Sequence, residues 1–158
     1  MKNILIILMS SIVILSCSDS KDEKTQEEKE QARIQNIINM FVGKWQVSRT
    51  AKDIDFNNIV EFKRKDCDED SYIEFFPDLK AISTRGCEVD DRKHDNGNFE
   101  ILISNNKEYI NLKNVSIPII SGLSIGGQRQ IITITSNIFV LFTYDAAGIN
   151  YLEMKRIN

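Results

Sequence analysis

The sequence predicts an all-β fold: an eight-stranded antiparallel up-and-down barrel behind a short N-terminal helix. Three observations predict it. From Gly43 onward the apolar pattern repeats every second residue, in about eight short segments rich in Ile, Val, Phe, Tyr and Thr. The separators between segments, such as "SNNK", "SN" and "DAAG", are short and turn-like. No ten-residue helical pattern stands between strands, which argues against a parallel α/β sheet. Strands joined by short turns form antiparallel meanders, and a long meander removes its exposed edges best by closing on itself.

The chain opens Met1-Lys2-Asn3, followed by an apolar run from Ile4 to Leu15. A membrane-spanning helix needs about 20 apolar residues, so this run has the layout of a secretory signal instead. It ends Leu15-Ser16-Cys17, which resembles the lipobox of bacterial lipoproteins. The resemblance implies a signal peptide over 1–16, cleavage before Cys17, a diacylglycerol thioether on Cys17, and acylation (palmitate) of the new amine. Each buried CH₂ contributes about 0.8 kcal/mol, so two or more chains hold firmly. Ser18, where lipoproteins kept at the inner membrane often have Asp, favours the outer membrane, and "SDSKDE" is similar to acidic patches that direct some lipoproteins to its outer face. "SDSKDEKTQEEKEQ" is charged and almost free of apolar residues. It cannot bury a core, so 17–31 is expected to be a disordered tether and 32–158 a single domain.

Within that domain, "ARIQNIINMF" sets Ile34, Ile37, Ile38 and Phe41 on one helical face. The period then becomes two. "GKWQVSRT" puts Trp45 and Val47 together, "SYIEFF" puts Ile73 and Phe75 together, and "NFEILIS" does the same for Phe99, Ile101 and Ile103. "KAISTRG", "KEYINL", "RQIITITS", "NIFVLFTY" and "NYLEMKRI" complete the series, and "FNNIVEFKRK" either extends the first strand or adds a short one. The expected interior is Trp45, Val47, Ile73, Phe75, Phe99, Ile101, Ile103, Ile132, Ile134, Val140 and Phe142. Alternation alone does not orient "IFVLF", which is apolar on both faces.

The formal net charge is −3 and no basic face stands out, so a nucleic acid is not an expected partner. Of the three cysteines, Cys17 is assigned to lipid. Export places Cys67 and Cys87 in an oxidising compartment, where they are expected to form a disulfide contributing about 3 kcal/mol.

A short helix followed by Gly43-Lys44-Trp45 resembles the G-x-W signature of lipocalins. Cys67-Asp68-Glu69-Asp70, Ile73-x-Phe75-x-x-Asp78 and Cys87 look like the pattern of small bacterial lipocalin-like domains, most of them lipoproteins. The resemblance spans Phe41 to Ile157. It implies that Trp45 closes the barrel floor and that Arg156, in the last strand "YLEMKRI", lies beside it. The chain departs from the pattern at Asp78-Leu79, where the family turn is Asp-Gly, and at "NVSIPIISGLSIGGQ", which is too long for a tight hairpin and is expected to form an irregular strand or a flap over the mouth.

No catalytic constellation emerges, and the chain is not read as an enzyme. "DCDED" alternates Asp66, Asp68 and Asp70 like the start of a calcium loop, but Ser71 and Pro77 stand where Gly and Glu are required. It reads as a solvated loop, and no metal or cofactor is expected; Glu88, Asp90 and Asp91 offer at most a weak cation site. His94, the one histidine, falls in the polar loop "DDRKHDNGN". A bridged Cys67 is no nucleophile. "GLSIGG" lacks the Lys-Ser/Thr of a phosphate loop, and Glu74 and Glu100 alternate away from the core. What remains is the barrel interior. Eight strands enclose either a filled core or one small ligand. A small apolar or amphipathic molecule bound within is the first reading, with Ser116–Gly127 as its lid and few polar groups around it. A closed-core barrel that binds a protein at the envelope, as a complex subunit or a toxin-neutralising protein, is the second.

Overall fold

Thr25 opens the described part of the chain. Its hydroxyl accepts the Glu28 N–H at 3.2 Å, and the Glu28 carboxylate accepts the Thr25 N–H at 2.9 Å. This reciprocal capping box starts helix α1 at Gln26, with Glu27 and Glu28 against the positive helix end. A computed structural model describes residues 25–62, 65–87, 94–120, 123–144 and 148–158. The expected signal peptide, Cys17, Ser18 and most of the expected tether lie outside the described residues, as do Glu88, Asp90 and Asp91. Helix α1 (Gln26–Phe41) corrects the expected boundary at 32. Residues 26–31 have no apolar face to reveal them by periodicity; local capping extends the helix through them.

Eight strands follow: β1 (Gly43–Ala51), β2 (Tyr72–Phe75), β3 (Lys80–Thr84), β4 (His94–Ser104), β5 (Lys107–Ile120), β6 (Leu123–Ile134), β7 (Ile138–Phe142) and β8 (Tyr151–Ile157). They form one closed antiparallel barrel in sequence order, with β1 also hydrogen-bonded to β8. The segment after β1 folds back on it: Ala51 bridges Ile59, and Val60 N–H donates to the Thr50 carbonyl at 2.8 Å.

Three expectations are corrected here, and one is met. Residues 94–98 are the start of β4, not loop, although His94 stays exposed and pairs with Thr84. The expectation of an irregular strand over the 114–128 stretch is met: its described residues belong to β5 and β6, whose register shifts between Leu112 and Ser116 and between Pro118 and Ile120. Ile132 is half-buried, and Ile131 is the core residue, because a bulge between Ile131 and Thr133 inserts one residue into the alternation. In β7, Phe139 and Leu141 face the core, opposite Met154 and Leu152, while Val140 and Phe142 are half-buried on the outer face. There Phe142 packs on Tyr151 at 5.3 Å.

Cys67 and Cys87 lie at disulfide distance, 2.09 Å between sulfurs and 4.8 Å between Cα atoms. The pair ties a 3₁₀ turn (Asp66–Asp70) to the chain leaving β3. Asp68 is not solvated as expected: it is 3% exposed, and its carboxylate accepts the Lys65 N–H at 2.8 Å.

Candidate functional site

The barrel interior has two unlike halves. At the floor, Trp45 is fully buried, and its indole N–H donates to the Phe41 carbonyl at 2.6 Å. The Arg156 guanidinium lies 4.3 Å from the Trp45 ring centre and donates to the carbonyls of Met40, Val42 and Ser136. One side chain thus stacks on the indole, ties off the end of α1, and holds the β6–β7 turn. Gly43 has φ +126°, and a Cβ there would come within 2.3 Å of Arg156 Nη1, so only glycine fits. The G-x-W spacing and the distant arginine are therefore one packing unit.

Above this floor, Phe41 reaches up from α1 into a ring cluster. Its centroid is 5.5 Å from Phe75, 6.5 Å from Phe99 and 4.8 Å from Phe139, and Trp45 lies 4.7 Å from Phe139. Val47, Ile73, Ile101, Ile110, Leu141, Leu152 and Met154 pack around the rings. Of the expected cavity residues, Val47, Ile73, Phe75, Phe99 and Ile101 meet here, but as filler of this half rather than as cavity wall. Ile103 and Ile134 are half-buried at the floor end, where Ile103 lies beside the first turns of α1. Phe41 is the core residue that strand alternation could not supply; the helix pattern "IQNIINMF" carried its signal.

Toward the mouth the inner wall changes character. Alternation from Phe75, Ala81 and Phe99 carries Ser83, Arg85 and Asp95 onto the inner face. Arg85 Nη2 donates to Asp95 Oδ2 at 2.6 Å and to Ser116 Oγ at 3.3 Å. Thr50 and Thr143 are buried and donate to the carbonyls of Val60 and Ile149. Ser83 is fully buried, and its hydroxyl has no hydrogen-bond partner among the described residues. The expectation of few polar groups at this end is thus corrected. The roof is apolar: Val115, Ile117, Ile119 and Ile125 of the β5–β6 hairpin are all at most 5% exposed.

Outside the wall, a surface groove of about 470 Å³ is lined by Lys44, Glu69, Asp70, Tyr72, Thr84 and His94. Lys44 covers the Tyr72 ring at 5.0 Å, so the one aromatic platform is already occupied. On β8, Glu153 is 5% exposed, bound by the Arg49 guanidinium and by Ser48 Oγ at 2.5 Å. The Arg49 hydrogen bonds hold its carboxyl below the ordinary glutamate value. Glu100 is likewise lowered, by Lys113 and Asn111. Among the described residues no three metal-ligating side chains converge. No family model matches this chain, and comparison with curated proteins and with solved structures likewise gave no match.

Proposed function

We propose that the protein is a lipocalin-like lipoprotein of the outer membrane, anchored by acyl chains on Cys17, that binds a small amphipathic molecule in the mouth half of its barrel. The observation that carries this reading is the division of the interior. Rings fill the floor half, whereas the mouth half joins a polar inner wall to an apolar roof, the pairing of surfaces that an amphipathic guest requires. What supports the anchor is Leu15-Ser16-Cys17, which resembles a lipobox. The first turns of α1, which begin the described chain on the Cys17 side, lie beside Ile103 and Asn106 at the floor end, opposite the mouth. The reading assigns binding, not catalysis.

Titration with an anilinonaphthalene sulfonate tests it: one saturable site per chain is expected, weakened by Ile117→Ala or Ile125→Ala while the fold persists. Absence of saturable binding would favour the second reading, a closed-core barrel that meets a protein partner. What favours that alternative is the exposure of Ile54, Ile59 and Tyr144, at 51%, 43% and 81%, on loops at the mouth end. For the anchor, Cys17→Ser should abolish palmitate labelling; equal labelling of variant and parent would remove the lipoprotein assignment.

A further inference from the structure

The Cys67–Cys87 bridge joins two half-buried residues, so a small thiol can reach it. Beside it lies a buried acid. Asp68 is 3% exposed, and its Oδ1 lies 3.1 Å from Cys87 Sγ. A bridged sulfur carries no proton, so this contact sets a carboxylate oxygen against bare sulfur and is not a hydrogen bond. The other oxygen, Oδ2, accepts the Lys65 N–H at 2.8 Å, which orients the carboxylate. The 3₁₀ turn that carries Asp68 has further ties. Ser71 Oγ accepts the Gly86 N–H at 2.9 Å, and Gln46 Nε2 donates to the Glu69 carbonyl. The chain leaving β3 presses so closely on the turn that a Cβ on Gly86 would overlap the Cys67 carbonyl oxygen. None of these contacts depends on the sulfur–sulfur bond.

We infer that Asp68 guards the bridge against exchange with small thiols. In exchange, the attacking thiolate forms a bond to one sulfur as the Cys67–Cys87 bond breaks, and the electron pair goes to the other sulfur, which leaves as a thiolate. Attack on Cys67 expels a thiolate from Cys87, 3.1 Å from the Asp68 carboxylate. Attack on Cys87 brings the charge of the incoming thiolate to the same place. Negative charge meets negative charge on either route, in a setting that water screens weakly. The closed bridge carries no charge and meets no such opposition. Asp66, Glu69 and Asp70 of the same turn are exposed, so water and salt screen them and they act more weakly.

The test is the rate at which dithiothreitol reduces the purified, oxidised protein and its Asp68→Asn and Asp66→Asn variants; dithiothreitol supplies both electrons and closes to its own cyclic disulfide. Asparagine matches aspartate in shape, and its amide oxygen can still accept the Lys65 N–H, so the turn is retained. Asp68→Ser, whose hydroxyl also caps, serves as a second neutral variant. Reduction should be about tenfold faster in Asp68→Asn and Asp68→Ser, and less than about twofold faster in Asp66→Asn. Cysteamine and 3-mercaptopropionate, compared per thiolate, give a readout that a structural role would not move. The parent should favour the cationic thiol, and Asp68→Asn should lose most of that preference. Acceleration by all thiols alike, with the preference unchanged, would mean a loosened turn and overturn the inference. Equal rates in parent and both Asp68 variants would overturn it as well. Slower reduction in Asp68→Asn would make Asp68 a proton donor to the leaving sulfur, the opposite of a guard.

Discussion

Trp45, Arg156 and Gly43 fix the floor as a set, and each can be perturbed alone. Trp45→Ala empties a fully buried aromatic site and should cost about 3–5 kcal/mol, read from chemical denaturation followed by circular dichroism. Gly43→Ala places a methyl against Arg156 at a backbone angle alanine avoids, and a loss of about 2 kcal/mol is expected. A loss under a few tenths would show that the floor relaxes around it. Glu153 gives the pH dependence. Its carboxyl is held below the ordinary value of 4.5 by the Arg49 and Ser48 hydrogen bonds. A group whose folded value is lowered contributes fully above its unfolded value, and that contribution is lost as pH falls through the folded value. Stability should therefore decline below about pH 4.5 more steeply in the parent than in Glu153→Gln; identical acid limbs would contradict the assigned pairing. At this scale the sequence was informative where distant residues share a motif, as Trp45 and Arg156 do. It was silent on Ser83, because a lone serine in alternating strands gives no sign of which inward position lacks a partner.

The strands and turns were legible because two-residue alternation and turn residues are local signals, and the barrel follows from them. The errors arose where one residue breaks the period. The bulge at Ile131–Thr133 moved the inward position from Ile132 to Ile131, and "IFVLF" carries no polar residue to mark its outer face. The start of α1 was hidden because Gln26–Gln31 are exposed and charged, with only the Thr25–Glu28 box to announce them. The Asp78-Leu79 turn keeps a tight geometry without glycine. Leu79 takes φ +65° and its N–H donates to the Phe76 carbonyl at 3.1 Å. Leu79→Gly should therefore stabilise the protein by about 0.5 kcal/mol in denaturant melts, the relief of left-handed strain exceeding the entropy glycine adds to the unfolded chain. Reducing the Cys67–Cys87 pair should cost about 2–5 kcal/mol. Reactivity of both cysteines toward a thiol reagent in the native oxidised protein would contradict the bridge.

Taken whole, the molecule is a barrel closed at one end by a helix and its aromatic cluster, and lined at the other by polar side chains under an apolar hairpin. The closed end supplies rigidity, since Phe41, Trp45, Phe75 and Phe139 leave at most 1% of their surface exposed. The mouth end keeps the buried Ser83 hydroxyl without a hydrogen-bond partner among the described residues, a group that a barrel serving stability alone would replace with an apolar one. That division is the basis for reading the protein as a binder of small amphipathic molecules, and native mass spectrometry of the protein purified from its own cells tests it most directly. The account predicts a mass increment of one small molecule per chain, lost on unfolding. Protein carrying no such increment, from cells grown under several conditions, would contradict it.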